Sequence, residues 1–125
     1  MTEADAQEFG LEWVEAWNSH DLERILSHYA DDVEVTSPLM ETVLGPGQLT
    51  VRGKEALRAC WGPALARYPD LRFILFRAYA GPRSVVIHYQ SVQGLVGAEC
   101  MEFDPSGAVN RVLAHYAMGP DPVAA

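Results

Sequence analysis

The stretch WVEAWNSHDLERILSHYADDVEVTSP, from Trp13 to Pro38, joins two helix patterns directly to a strand pattern. Apolar residues recur at spacings of three and four through residues 3–19, which predicts an amphipathic helix whose broad stripe contains Phe9, Trp13, Ala16 and Trp17. The polar segment Asn18–His20 then interrupts the helix. We expect this change of direction to serve a packed core or a pocket.

A second, shorter helix is predicted after this interruption. Asp21 is a favourable N-cap, and the apolar positions that follow it at helical spacing are Leu22, Ile25, Leu26 and Tyr29. The pair Asp31–Asp32 ends this helix, and the alternation of Val33–Ser37 predicts a strand. Pro38 ends the strand because proline has no backbone N–H to donate to a sheet.

The rest of the chain predicts one more helix and a series of strands. A helix is expected at 54–68, with a kink or a division into two short helices at Pro63. Residues 39–53 predict a loop with a short strand at 49–52. Four later segments are rich in strand-forming residues: 71–79, 84–92, 97–104 and 109–117. The tail at 120–125 is expected to be frayed.

Short turns separate the four later segments, and short turns favour antiparallel neighbours. Helices followed by a strand meander predict a single α+β domain over residues 1–125, with the helices packed on one face of the sheet. The core that this arrangement predicts contains Phe9, Trp13, Trp17, Leu26, Phe73, Ile87, Met101 and Phe103.

Composition excludes several classes of protein. The chain has 125 residues, a formal charge of −8 and no cluster of basic residues, which argues against binding to nucleic acid. No apolar run approaches the ~20 residues that span a bilayer, and the acidic N-terminus differs from a signal peptide, so we expect a cytoplasmic protein without a membrane partner. Cys60 and Cys100 are expected to be reduced, and the four histidines show no metal-binding spacing.

Glu99 is the strongest candidate for a catalytic group. Strand alternation places it on the same face as Met101 and Phe103, and the size of these apolar groups marks that face as the inner one. Burial raises the pKa of a carboxyl group, because it disfavours the charged form, and such a group can donate or accept a proton near neutral pH. The alternative is that a tyrosine, an indole N–H or backbone donors satisfy Glu99, which then has only a structural role.

His115 is the second candidate, because alternation places it on one face with Val109, Arg111 and Leu113. It would either form a proton relay with Glu99 or lie at the edge of a pocket, although a single histidine on a strand more often has a structural role. The aromatic residues Trp13, Trp17, Tyr29 and Trp61 predict a wide aromatic interior that serves as core or as ligand-binding surface.

The segment 71–79 is apolar on both faces, with Ile74 and Phe76 on one side and Phe73, Leu75 and Tyr79 on the other. A strand of this kind needs cover on both faces. The helices cover one face, and we expect a second copy of the chain to cover the other in a homodimer.

Three segments, AWNSHDLERILSHYADDVEVTSP, RGKEAL and ECMEFDPSGAVNRVLAHY, resemble the nuclear transport factor 2-like superfamily, and within it the SnoaL-like and ketosteroid-isomerase-like branch. The resemblance extends from about Phe9 to Tyr116. It implies a cone-shaped fold, in which a curved antiparallel sheet wraps around the N-terminal helices and a pocket lies at the open end.

The ketosteroid isomerases carry three functional residues whose positions can be matched here. Their first-helix tyrosine corresponds to Trp13, their general-base aspartate before proline corresponds to Ser37, and their protonated aspartate corresponds to Glu99. Because only Glu99 keeps a carboxylic acid, the resemblance does not imply steroid isomerisation by that mechanism.

We therefore expect a SnoaL-like protein that binds a small hydrophobic molecule. One hypothesis is an isomerase, cyclase or hydratase that uses Glu99 as acid or base with His115 or Tyr29 assisting, without a metal or an organic cofactor. The other is a non-catalytic binding or accessory domain. In either case the expected ligand-binding residues are Trp13, Trp17, Ser37, Trp61, Met101 and Phe103.

Overall fold

The computed structural model describes residues 1–118, so the predicted fraying at 120–125 lies outside the described residues. The helices are α1 (Glu3–Ser19), α2 (Leu22–Leu26), α3 (Glu41–Leu44) and α4 (Lys54–Arg67), with 3₁₀ turns at Pro38–Met40 and Val92–Gly94. The strands are β1 (Tyr29–Thr36), β2 (Thr50–Arg52), β3 (Ile74–Gly81), β4 (Ser84–Gln90), β5 (Leu95–Phe103) and β6 (Val109–Met118).

The six strands form one curved sheet in the order β2-β1-β6-β5-β4-β3. The helices pack on its inner face, with α1 against β3 and α4 against β1 and β2. The α+β class and the curved sheet around N-terminal helices are confirmed. One pairing departs from the antiparallel prediction, because β1 runs parallel to β6. The turn-length argument applies only to strands that follow one another in the chain, and these two do not.

The end of α1 is fixed by the polar segment that interrupts the helix pattern. The Asn18 amide donates to the Phe73 carbonyl at 3.0 Å and accepts from the Phe73 N–H at 2.7 Å. His20 terminates the helix in a left-handed conformation, and its Nε2 lies 2.9 Å from the Leu71 carbonyl oxygen. This segment therefore attaches the end of α1 to the chain that enters β3.

Two details of the helices correct the sequence prediction. Tyr29 was expected on the second helix but begins β1, since α2 already ends at Leu26. A tyrosine at position 29 fits the helical spacing and equally fits a strand that faces the core. Spacing alone therefore does not distinguish a helix from a strand at this position. Pro63 does not divide α4. Both Pro63 and Ala59 are exposed, so water can bind the carbonyl that loses its helical donor.

The core lies between the inner face of the sheet and the helices. Of the residues predicted for it, Trp13, Trp17, Leu26, Phe73, Ile87 and Met101 are buried, and Phe9 and Phe103 pack against them. The aromatic rings are in direct contact: the Trp13 ring stacks on Phe73 at a centroid distance of 5.6 Å and meets Tyr89 edge-on at 4.9 Å. The predicted aromatic interior is confirmed.

A bulge changes which residues of β3 face outwards. The pairing of β3 with β4 shifts between Leu75 and Arg77, and alternation restarts one residue later. Tyr79, which was predicted to lie with Phe73, is therefore on the outer face and is 47% exposed. Ile74 and Phe76 are also exposed, at 47% and 48%.

Candidate functional site

A mostly apolar cavity of about 360 Å³ lies between the inner face of the sheet, α1, α4 and the short helices that follow β1. Its volume falls within the ~300–1,000 Å³ of typical ligand pockets. The polar side chains in its wall include Tyr29, Ser37, Tyr89, Glu99 and Tyr116. The rest of the wall is largely indole, phenyl and aliphatic carbon, with further polar side chains from Thr42, Arg67, Tyr68, Ser91 and Gln93.

Glu99 is buried in β5 with a residual exposure of 8%, and it lines the cavity. The Tyr89 hydroxyl donates a hydrogen bond to its Oε2 atom. The Tyr116 hydroxyl lies 3.3 Å from the Tyr89 hydroxyl, so two phenols and one carboxyl form a cluster. Within residues 1–118, the second carboxyl oxygen, Oε1, has no hydrogen-bond partner. One oxygen of Glu99 is therefore anchored while the side chain remains part of the cavity wall.

Gly97 determines where the Tyr89 ring lies. The two residues face one another across β4 and β5, and a Cβ atom on Gly97 would lie 2.7 Å from Cε1 and 2.9 Å from Cζ of Tyr89. The absence of a side chain at this position lets the ring lie flat over the neighbouring strand. The phenol thereby reaches Glu99, which is two residues further along β5.

The cavity changes the acidity of Glu99 and of three tyrosines near it. Burial raises the pKa of Glu99 from 4.5 to about 7, although the hydroxyls of Tyr89 and Tyr116 and, more weakly, the more distant His115 oppose the shift. Burial and then the Glu99 charge raise the pKa values of Tyr29, Tyr89 and Tyr116 well above their usual range. The phenols therefore stay protonated, while Glu99 exchanges its proton near neutral pH.

The indole group of Trp13 holds Tyr29 in place. The Trp13 Nε1–H donates to the Tyr29 hydroxyl oxygen at 2.9 Å in a fully buried contact. The Trp17 Nε1–H is also buried but has no hydrogen-bond partner within residues 1–118. Because the Tyr29 oxygen accepts from Trp13, its own O–H is free to donate, and accepting one hydrogen bond strengthens the next.

The predicted ligand-binding residues divide into two groups. Trp13, Trp17, Ser37 and Trp61 line the cavity together with Tyr29 and Glu99. Met101 is fully buried in the core, and Phe103 packs edge-on against Phe9 at 5.0 Å beside a separate surface depression. These last two share the inner face with Glu99 but lie further along β5, outside the cavity wall.

His115 is not brought to Glu99. It is exposed on the outer face of β6, with its Nδ1 atom 3.3 Å from the Ala98 carbonyl oxygen, and Ala114 is the residue that pairs with Glu99 across the strands. This corrects the predicted orientation. The β5–β6 pairing shifts by one residue near Val109, so alternation counted from Val109 gives the wrong face for the rest of β6.

Sequence reasoning missed Tyr89 and Tyr116 as members of the site. A signal was present for Tyr89, because it alternates with Val85 and Ile87 on the more apolar face of its strand. Its cross-strand position opposite Gly97 depends on register and was not visible in the sequence. Tyr116 was missed for the same reason as His115, because alternation counted from Val109 without the register shift puts Tyr116 on the outer face.

The described residues also bear on metal binding and on membrane insertion. Within residues 1–118, no group of three or more histidine, cysteine, aspartate or glutamate side chains is arranged to hold a metal ion. None of the helices in the described part of the chain has the length and apolar character needed to cross a bilayer.

Comparison with known proteins identifies the family. A family model for the SnoaL-like domain matches residues 11–120. A SnoaL-like protein of unknown function from Burkholderia thailandensis E264 is 46% identical, with a TM-score of 0.88 over 94% of this chain and 98% of its own. No curated protein matches the sequence.

Two more distant structures show the same fold. A proposed isomerase of the SnoaL-like family from Agrobacterium tumefaciens C58 is 15% identical, with a TM-score of 0.73 over 91% of this chain and 98% of its own. A cystatin-like-fold protein of unknown function from Methylobium petroleophilum PM1 is 19% identical, with a TM-score of 0.72 over 98% of this chain and 81% of its own. From the match over residues 11–120 and the 46% identity, the chain belongs to the SnoaL-like domain family.

Proposed function

We propose that this protein binds a small, largely apolar organic molecule in the cavity and moves a proton on it, with Glu99 as the acid–base group. The observation that carries the proposal is the position of Glu99, which is buried in an apolar wall with Oε2 anchored by Tyr89. With a pKa of about 7, Glu99 supplies both the acid and the base form near neutral pH.

The reaction class is an isomerisation, cyclisation or hydration of a carbonyl compound. In the simplest case the Glu99 carboxylate removes a proton from the carbon next to a carbonyl, and the electron pair moves onto the carbonyl oxygen. The Tyr29 O–H donates a hydrogen bond to that oxygen, since Trp13 already occupies its acceptor side. When the carbonyl compound carries a β,γ double bond, the Glu99 carboxyl then returns the proton to the γ carbon, and the double bond moves into conjugation with the carbonyl, which completes an isomerisation.

The experiment follows proton exchange without needing the natural substrate. Small saturated and unsaturated cyclic ketones are incubated with the protein in heavy water, and NMR records the loss of the proton signals next to the carbonyl. After the background is subtracted, the Glu99→Gln variant should exchange ~10²–10⁴-fold more slowly than wild type. Glutamine keeps the shape of the side chain but cannot transfer a proton.

Glu102→Gln is the matched control, since Glu102 lies on the same strand but on the outer face, where it contacts Arg111 at 3.6 Å. It should exchange at the wild-type rate. Equal rates for wild type and Glu99→Gln would contradict the proposed catalytic role.

A non-catalytic binding domain is the second candidate, and one observation favours it. The cavity wall contains one carboxyl group, Glu99, among the described residues, so no second carboxylate stands ready as a separate base. In that case ketones would change the tryptophan fluorescence on binding while no variant altered proton exchange.

We further propose that a second copy of the chain covers the outer face of the sheet. Ile74, Phe76 and Tyr79 are each about half exposed on that face, which is unusual for large apolar residues lying on one strand. Phe76→Glu would place a charge in the interface and should shift the protein from dimer to monomer in sedimentation equilibrium, whereas Leu11→Glu, an exposed change on α1, should not. A monomeric wild type at micromolar concentration would contradict this assembly.

A further inference from the structure

A second charged residue lines the cavity at its open side. Arg67, in the last turn of α4, is exposed and belongs to the cavity wall, whereas Glu99 is buried in it. Because Arg67 is exposed and also lines the cavity, it lies where the cavity meets solvent. The cavity therefore has a buried carboxyl group in its wall and an arginine at its mouth.

Arg67 is unusual among the cations of this acidic chain. The sequence contains nine lysine and arginine residues against 17 acidic ones. Within residues 1–118, six of the nine make ion pairs with glutamate or aspartate, namely Arg24, Arg52, Lys54, Arg58, Arg77 and Arg111. Arg67, Arg72 and Arg83 make none in the same part of the chain, and Arg67 alone of these three lines the cavity.

The surroundings of Arg67 orient its charge without neutralising it. Its guanidinium carbon lies 5.8 Å from the centre of the Tyr68 ring, an arrangement in which the aromatic face attracts the cation. A cation in the last turn also suits the dipole of α4. The dipole would act equally on a cation that points away from the cavity, so it does not account for an arginine in the cavity wall.

Building on the proposed small-molecule site, we propose that its ligand is an organic monocarboxylate, with its carboxylate at Arg67 and its apolar body inside the cavity. Guanidinium matches a carboxylate with two parallel hydrogen bonds. The described wall offers no second cation for a doubly charged phosphate, and the chain charge of −8 disfavours polyanions. A carboxylate also leaves the opposite end of the molecule free to place a reactive carbonyl near Glu99.

The test uses two probes of the same size and carbon skeleton, one with a charged end group and one with a neutral end group. One is cyclohexanone carrying a butanoate chain opposite the carbonyl, and the other is the same compound with a carboxamide in place of the carboxylate. Both are titrated at about pH 6, where Glu99 is mostly protonated and does not repel the acid, and the fluorescence of the cavity tryptophans reports binding.

Wild type should bind the acid about tenfold more tightly than the amide, and the difference should shrink as salt is added. Arg67→Gln should bind the two probes equally. Arg72→Gln, which removes the same charge from an exposed residue outside the cavity wall, should keep the preference.

Equal binding of acid and amide by wild type, or a preference that survives in Arg67→Gln, would overturn the assignment of the carboxylate while leaving the proposed apolar site intact. Failure of both probes to bind wild type would overturn the assignment together with the small-molecule site.

Discussion

The two faces of β5 hold the same side chain in two environments. Glu99 is buried on the inner face, where its carboxyl takes a hydrogen bond from Tyr89. Glu102, three residues later, is on the outer face, and its side chain is 46% exposed beside Arg111. An exposed ion pair of this kind contributes little to stability. The comparison shows that the side of the strand, and not the type of residue, decides whether a carboxyl group is buried among apolar groups or lies in water.

The largest expected effect on stability is a pH dependence that comes from the buried carboxyl of Glu99. Because folding raises the pKa of Glu99 from 4.5 to about 7, the folded state binds its proton more tightly than the unfolded state. Its stabilising contribution is complete below about pH 4.5 and is lost as the pH rises through about 7. The loss amounts to about 3 kcal/mol of unfolding free energy.

Urea denaturation of wild type and Glu99→Gln across this pH range measures the contribution as a difference, in which the other titrating groups largely cancel. Glu102→Gln should stay within ~0.5–1 kcal/mol of wild type at each pH, because it loses only an exposed ion pair. A wild-type advantage over Glu99→Gln that grows with rising pH would contradict the direction of the shift.

The next effect concerns the Tyr89 ring of β4, which lies over Gly97 of β5. Gly97→Ala would push the Tyr89 ring away from Glu99, since the new Cβ would lie 2.7 Å from its Cε1 atom. We expect a loss of about 1–3 kcal/mol in unfolding free energy. Gly62→Ala in α4 is the control, because its Cβ would find its nearest neighbour at 3.5 Å and helical alanine is favoured over glycine. Equal melting temperatures for Gly97→Ala and wild type would show that the ring is not held there.

The smallest effect isolates one hydrogen bond. Trp13→Phe and Trp17→Phe remove the same atoms from two buried, neighbouring indoles, but only Trp13 donates to Tyr29 in the described structure. Trp13→Phe should therefore be less stable than Trp17→Phe by about 1 kcal/mol. Denaturant titrations of the two variants give this difference, and a larger loss for Trp17→Phe would assign the donor role to the other indole.

Most of the fold and the central residue of the candidate site could be predicted from the sequence. Helical spacing predicted α1 with its ends, and alternation placed Glu99 on the buried face of β5. The misplaced Tyr79 and His115 share one physical cause, a one-residue shift within a strand pair. Such a shift reverses the facing of every residue beyond it, and it depends on the partner strand, which local pattern does not describe.

The phenols around Glu99 could not be predicted for a related reason. Tyr89 contacts the carboxyl, and Tyr116 contacts Tyr89, only because β4, β5 and β6 lie side by side with the observed pairing. Arg67 was likewise invisible as part of the site, since α4 brings it to the cavity from a distant part of the sequence. Local pattern identifies a buried group, whereas its neighbours follow from tertiary pairing.

The parallel pairing of β1 with β6 also has a consequence for protein synthesis. β6 lies between β1 and β5, so during translation the first strand has no permanent neighbour on that side until residues 109–118 have been made. The chain that precedes them presents an open strand edge and part of an apolar interior, both of which favour aggregation. A nascent chain should therefore depend on chaperones until β6 emerges, and Tyr116 joins Tyr89 and Glu99 only at that moment.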